Sequence, residues 1–270
     1  KERETIFDEQ KALFQKVDAE LTHLGVEHDE HGNRAKAFLY CLETTCPETG
    51  WSIPLAPSWI ISKNRNIIAQ LIPNYSEKTF EIDVLEGVSD DEMAAAAKGT
   101  IQNGQVVYTL DDKTYRTAIK TLRGDYKNED GEVVNKLRKW GKLDFQHKTT
   151  DIFRERLYAI QWVTKDSIDK FRHSTFFTGA RKEDLVRESK VNKILEQNIE
   201  DWQEKGFIPD MSIDAGYNTD QPKRERGWQY WHHLHTPRNL LVGAITAKNI
   251  NAFTAFNFLD LQKVLHSYTK

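Results

Sequence analysis

The feature that most constrains the fold is a change in the spacing of apolar residues along the chain. Between residues 37 and 163, short runs rich in β-branched and aromatic residues alternate with turn residues, whereas in residues 182–205 apolar residues recur at helical spacing. A period of two is typical of strands, and a period near 3.6 is typical of helices. The sequence therefore predicts an α+β fold with a β-rich middle region, flanking helices and a helical C-terminal part.

The predicted elements divide the chain into an N-terminal helix in residues 1–35, a β-rich insert domain in residues 36–165 and a helical region in residues 166–270. In the insert domain we expect strands at 37–41, 51–55, 59–62, 67–72, 79–85 and 156–163, two or three strands in 100–120, and a short helix at 93–98. In the helical region we expect a long helix at 182–205, a loop at 208–226, and helices at 240–247 and 253–265.

Composition excludes several classes of protein. Charged residues make up 29% of the 270 residues and aromatic residues 11%, so the chain is too polar for a membrane protein and too aromatic for a disordered one. No stretch approaches the roughly 18 consecutive apolar residues that a membrane helix needs, and the first residues lack the apolar segment of a signal peptide. We therefore expect a cytoplasmic protein with no membrane partner.

The formal net charge of -3 hides two oppositely charged stretches. Residues 76–112 contain nine Asp or Glu and two Lys or Arg, whereas residues 113–148 contain ten Lys or Arg and five Asp or Glu. Because binding of a polyanion responds to local potential, the basic stretch could contact phosphate groups. The alternative is that the two stretches neutralise each other as solvated faces.

The chain has only two cysteines, Cys41 and Cys46, which excludes a disulfide framework. Cys46-Pro47 followed by Gly50-Trp51 has the shape of a zinc knuckle, but Thr49 stands where a second thiolate would be expected. Structural zinc needs four nitrogen or sulfur ligands. His28, His31 and His147 could complete such a set only on paper, so we expect a metal-free, degenerate zinc-ribbon-like region, with Cys41 and Cys46 as the weaker metal-binding alternative.

The segment around residue 230 combines aromatic residues with cations. Trp228 and Trp231 could stack on nucleobases, or they could anchor a loop in the core. The run His232-His233-Leu234-His235 is not expected to bind metal, because adjacent side chains point apart. The chain has no Gly-rich phosphate loop, no nucleophile elbow and no His-Glu-x-x-His motif, so we assign no catalytic residue.

A family resemblance rests on the segment that reads Arg226-Gly-Trp-Gln-Tyr-Trp-His-His-Leu-His-Thr-Pro-Arg238-Asn-Leu-Leu241. It strongly resembles the large adenine-specific DNA methyltransferases with a zinc-ribbon insert that are encoded in bacterial and archaeal defence islands. Further agreement lies at Cys46-Pro, Gly50-Trp51 and Ile53-Pro54-Leu55, and in residues 119–126 and 151–162. The similarity runs from about Ala12 to Leu265.

The resemblance implies that this chain is an internal fragment of such a methyltransferase. In the family, the turn that holds S-adenosylmethionine would precede Lys1, and the Asp-Pro-Pro-Tyr loop that grips the flipped adenine would follow Lys270. The chain itself would therefore hold no cofactor and no catalytic residue, while the parent protein would use S-adenosylmethionine. The implied partners are DNA, the missing methyltransferase segments and defence-system proteins.

The basic stretch and the resemblance together predict DNA binding or target recognition. The expected DNA-binding residues are Arg123, Lys136, Arg138, Lys139, Arg224, Arg226, Trp228, Trp231, His232 and Arg238. The alternative is a structural or protein-interaction module that docks on the methyltransferase core or on a defence-system partner, with Arg226 paired to the acidic stretch 76–112. Salt-dependent binding to duplex DNA distinguishes the first function from the second.

Overall fold

The computed structural model describes residues 2–252, and side chains from residue 6 to residue 250. It has an α+β fold, as the sequence predicts. The helices are α1 (Glu2–Leu24), α2 (Asp90–Ala96), α3 (Ile119–Arg123), α4 (Lys182–Glu204), α5 (Asp220–Arg226) and α6 (Pro237–Ala252). The strands are β1 (Arg34–Thr45), β2 (Ser52–Leu55), β3 (Ile60–Ser62), β4 (Ile67–Asn74), β5 (Thr79–Glu86), β6 (Ile101–Gln102), β7 (Gln105–Leu110), β8 (Lys113–Ala118), β9 (Tyr126–Lys127), β10 (Val133–Val134), β11 (Arg154–Val163) and β12 (Thr175–Gly179).

The main sheet joins the two ends of the β-rich region. Its four antiparallel strands lie in the order β12-β11-β1-β2, and the β1–β11 pairing runs from Arg34 opposite Val163 to Glu43 opposite Arg154. Ala159 and Ile160 in β11 are fully buried. Because β12 pairs with β11, the sheet continues beyond the predicted boundary at residue 165.

Two three-stranded antiparallel sheets, β3-β4-β5 and β6-β7-β8, are formed by the chain between β2 and α3. A capping box precedes α2, in which the Ser89 side chain and the Glu92 side chain each bond the other's backbone N–H. This reciprocal bonding satisfies two free donors at the start of the helix. One buried cluster joins β2, β5 and β7, and it consists of Cys46, Trp51, Ile53, Leu55, Phe80, Val106, Tyr108 and Leu110.

The helical core is formed by α1, α4 and α6, so the N-terminal helix packs against the C-terminal part of the described chain. On α4, Val191, Leu195 and Ile199 lie on the face that the apolar spacing predicts. The other members of this cluster are Leu21, Val26, Phe145, Trp202, Ile208, Leu240, Leu241, Ala244 and Ile245. Within residues 2–252 we find no helix that is both long and apolar enough to cross a membrane.

Several elements differ from the sequence predictions. The short elements α3, β9 and β10 were not predicted. The predicted loop at 208–226 contains α5, which carries no apolar stripe and therefore gives no periodic signal. Its local signals are Asp220 in the first turn, arginines in the last turn, and Gly227 with φ 77° at its end. The strand β12 was not predicted either, because all five of its residues are half-buried and show no alternation. The predicted helix at 253–265 lies outside the described residues.

Candidate functional site

Two segments that are distant in the sequence meet at the end of α5. The side-chain amide of Asn135 donates a hydrogen bond to the carbonyl of Arg224 at 2.5 Å, and the N–H of Trp140 donates to the carbonyl of Gly227 at 2.9 Å. An added Cβ at Gly227 would lie 2.0 Å from the carbonyl oxygen of Arg138, so glycine is required for this close approach. The contact brings the basic stretch 113–148 next to the arginines of α5.

Three of the predicted DNA-binding side chains lie exposed around this contact. Lys136 and Lys139 are exposed, and neither forms an ion pair within the described part of the chain. The Arg224 side chain is 56% exposed, with only a loose 3.6 Å contact to its neighbour Glu225. We call Lys136, Lys139 and Arg224 the basic surface. Its three charges are available to an anionic partner.

Arg123 and Arg138 lie next to the basic surface but are paired with carboxylates. The carbonyl of Arg123 accepts the N–H of Lys136 at 2.9 Å, while its guanidinium forms a two-point ion pair with Asp125. The guanidinium of Arg138 bonds both oxygens of Asp151, at 2.7 and 2.8 Å, and also bonds Asp144. Hydrogen bonding to Asp151 raises the pKa of Arg138 above its ordinary value, despite partial burial. These two arginines hold the loops beneath the surface.

The aromatic residues beneath the basic surface form a packed cluster. Trp140 is buried, and its ring lies 6.3 Å from that of Trp228 in an edge-on arrangement. Trp228 is itself half-buried, so the interpretation of this residue as a core anchor fits its position. Trp140 was missed by the sequence prediction, although Arg138-Lys139-Trp140-Gly141 has the same mixture of cations, tryptophan and glycine as the segment from Arg226. Trp231, by contrast, keeps part of its ring exposed.

The predicted DNA contact His232 lies in the interior of the described structure. It is fully buried, and its Nε2 lies 3.0 Å from the carbonyl oxygen of Asp144. The adjacent His233 is buried too, and its Nδ1 accepts the N–H groups of Gln229 and Tyr230. Nε2 of His233 must therefore carry the proton and donate to the carbonyl of Gly141 at 3.1 Å. Burial lowers the pKa of His233 to about 4.

Arg238, another predicted DNA contact, is also buried, since it is only 6% exposed. Its guanidinium forms an ion pair with Glu188 on α4, donates to the carbonyl of Val26 at 2.7 Å, and lies 3.8 Å from the centre of the Phe38 ring. The hydroxyl of Tyr40 donates to the same glutamate at 2.7 Å. Arg238 thus links α6 to α4, β1 and the loop after α1.

Arg226 points towards the interior. It lines a small cavity of about 30 Å³ together with Glu155, His147 and Trp228, and its guanidinium lies 5.8 Å from the Trp228 ring centre. Burial lowers the pKa of Arg226 and raises that of Glu155. The carboxylates whose charges act on Arg226 are Glu155 and Glu225, and neither lies in the acidic stretch 76–112 that was its alternative partner.

The two cysteines lie in different apolar clusters. Cys41 packs with Trp59 and Ile68, and burial raises the pKa of its thiol to about 12. Cys46 begins a turn in which the N–H of Gly50 bonds its carbonyl, and its thiol lies 4.0 Å from the Thr117 hydroxyl. In the part of the chain that the structure describes, no three His, Cys, Asp or Glu side chains are grouped to hold a metal ion. The absence of bound zinc stays a prediction for elemental analysis.

Comparison of the chain with family models, with curated proteins and with solved structures gives no match.

Proposed function

We propose that this chain is a non-catalytic DNA-binding module of an adenine-specific DNA methyltransferase. The observation that carries the proposal is that the exposed Lys136 and Lys139 lie on a segment hydrogen-bonded to the helix of the exposed Arg224, although more than 80 positions of sequence separate Arg224 from the two lysines. Two unpaired lysines and an arginine with one loose carboxylate contact are suited to phosphate contacts, which supply affinity and fix the position of a protein on duplex DNA.

The role follows from the energetics of adenine methylation. An enzyme that methylates adenine must extrude the base from the stack, which costs a few kcal/mol that contacts to the flanking DNA must offset. The basic surface would provide such contacts, with the partly exposed Trp231 as a possible stacking group. Segments outside this chain would supply S-adenosylmethionine binding and the catalytic loop.

Salt titration of duplex DNA binding tests the proposal. We compare the full chain with a variant in which Lys136, Lys139 and Arg224 are replaced by Ala. Each lost phosphate contact should flatten the dependence of log K on log salt by about 0.9, so the slope should fall by about 2 to 3.

The matched control replaces Lys182, Lys190 and Lys193 by Ala, which removes the same charge from exposed positions of α4. If both variants lose the same affinity for DNA, binding depends only on the net charge of the chain. If neither changes in slope, the basic surface does not contact DNA, and the proposal is wrong.

A protein-interaction module is the second candidate function, and α1 supports it. Phe7 and Phe14 are 66% and 67% exposed, and they lie seven residues apart on one side of the helix, next to the exposed Ile6. Exposed apolar patches of this kind mark interaction sites. Replacing both phenylalanines by Ser should abolish salt-insensitive association with the remaining methyltransferase segments while leaving DNA binding unchanged. Retained association would remove the support that α1 gives this candidate.

A further inference from the structure

A second site lies on a different part of the molecule, in a cleft between the sheets β3-β4-β5 and β6-β7-β8. Its volume is about 410 Å³, and its lining includes Leu71 of β4, Phe80 of β5, Tyr108 of β7, and Ala95 and Ala96 of α2. The residues of β4, β5 and α2 make most of this lining apolar, and Glu92, Gln70 and Gln102 add polar groups. None of the residues predicted to bind DNA lines this cleft.

The edge of β4 is open along the cleft. The short strand β3 pairs with β4 only at Ile67 and Ile68, and the last bond on that side runs from the N–H of Ala69 to the carbonyl of Trp59 at 2.8 Å. Because N–H groups alternate in direction along a strand, the N–H of Leu71 points to the same side, where no further described strand pairs. Pro73 follows in β4, as is usual for an edge.

The strand β7 is open in the same way. The strand β6 has two residues, and the last bond on that side runs from the N–H of Val107 to the carbonyl of Thr100 at 2.8 Å. By the same alternation, the N–H of Thr109 points to the open side. Thr109 lines the cleft together with Leu71, so the unpaired edges of β4 and β7 border the same cleft.

We propose that this cleft binds an extended peptide segment of a partner protein, which pairs with the open edge of β4 as a continuation of β3. Backbone groups of the segment bond the N–H and carbonyl of Leu71. Alternate side chains of a strand point to opposite faces, so apolar side chains pack on Ala95 and Ala96 and the intervening ones face solvent. The proposal does not depend on DNA binding.

The charge of the cleft indicates the chemistry of the partner. Glu92 is the one charged residue that lines the cleft in the described part of the chain, so the lining carries a carboxylate and no cation. A segment that alternates apolar residues with Lys or Arg complements this charge. Nucleic acid is disfavoured, because its phosphates would meet the Glu92 carboxylate.

Peptide selection tests the proposal. A phage-displayed library of random octapeptides is selected on the full chain and counter-selected on Ala95→Trp, which fills the cleft from an exposed position of α2. We expect enriched peptides that alternate apolar and basic residues and that bind Ala95→Trp at least tenfold more weakly. Ala94→Trp is the matched control, because Ala94 is exposed on the same helix but does not line the cleft. It should bind like the unchanged chain.

Amide hydrogen exchange provides the second readout. Binding of a selected peptide should slow exchange at Leu71 and leave Ile72 unchanged, because the N–H of Ile72 already faces β5. The proposal is overturned if no peptide is enriched, if enriched peptides bind Ala95→Trp as tightly as the unchanged chain, or if oligothymidylate displaces them from the cleft.

Discussion

The basic surface and the cleft differ in how the fold distributes charge. Around the basic surface, carboxylates close in sequence pair with the half-buried cations, since Arg123 pairs with Asp125 and Arg138 with Asp144 and Asp151. Lys136 and Lys139 are left uncompensated at the exterior. In residues 2–252 we find no ion pair between the stretches 76–112 and 113–148. The described residues of the two stretches therefore form their ion pairs elsewhere and not with each other.

The two regions also differ in the kind of group they offer. The basic surface offers side-chain charges, which are screened by salt and suit a phosphate backbone of any sequence. The cleft offers backbone donors and acceptors beside apolar walls, which suit an extended polypeptide. The two proposals assign DNA and a protein partner to separate parts of one chain.

Replacing Arg238 by Met should have the largest effect and sharpens the distinction between core and surface arginines. The change leaves Glu188 without its cation in a buried site, so we expect a loss of about 3–5 kcal/mol in the free energy of unfolding. Chemical denaturation measures it. Arg224→Met is the matched control, and its effect should stay within about 0.5 kcal/mol because this side chain is exposed. Equal effects would mean that Arg238 is not an internal link.

Acidification should lower the stability of the folded chain through His233, which lies beneath the basic surface. The pKa of His233 is about 4 in the folded chain and 6.5 ordinarily, so the unfolded chain binds more protons between these values. The contribution of His233 to the free energy of unfolding is complete above pH 6.5. It is lost as the pH falls to 4, a change of about 3 kcal/mol.

Denaturation midpoints measured from pH 7 to pH 4 check the His233 contribution. In His233→Gln the denaturation midpoint should fall less steeply with pH over this range. The exposed His31 provides the control, since His31→Asn should keep the slope of the unchanged chain. An unaltered slope in His233→Gln would show that another group causes the acid sensitivity.

Substituting Gly227 tests whether the basic surface depends on the contact between α5 and the segment 135–140. Gly227→Ala combines a positive φ of 77° with a clash against the carbonyl of Arg138, so we expect a loss of more than about 2 kcal/mol and weaker DNA binding. Gly206→Ala has a similar φ of 72° and open space around it, so it should cost about 1 kcal/mol. Peptide binding in the cleft should survive both changes. If the two variants are equally stable, the close approach at Gly227 does not hold the surface together.

Sequence patterns determined the parts of the fold that depend on neighbouring residues. The spacing of Val191, Leu195 and Ile199 predicted α4, and Ser89 followed by Glu92 marked the start of α2. These signals are local, because one face of a helix and one capping box lie within a few residues of chain. The same patterns predicted most strands of the insert domain, but not α5 or β12, whose residues show no apolar period.

Tertiary structure alone decided which of the predicted site residues are accessible. Arg238 and Arg224 belong to the same residue type and the same predicted surface, yet Arg238 finds Glu188 and Val26, which lie 50 and 212 positions away in sequence. The open edge of β4 likewise exists only because β3 stops after two paired positions. Burial and pairing depend on which distant groups the fold brings together, and the spacing of residues along the chain carries no record of those partners.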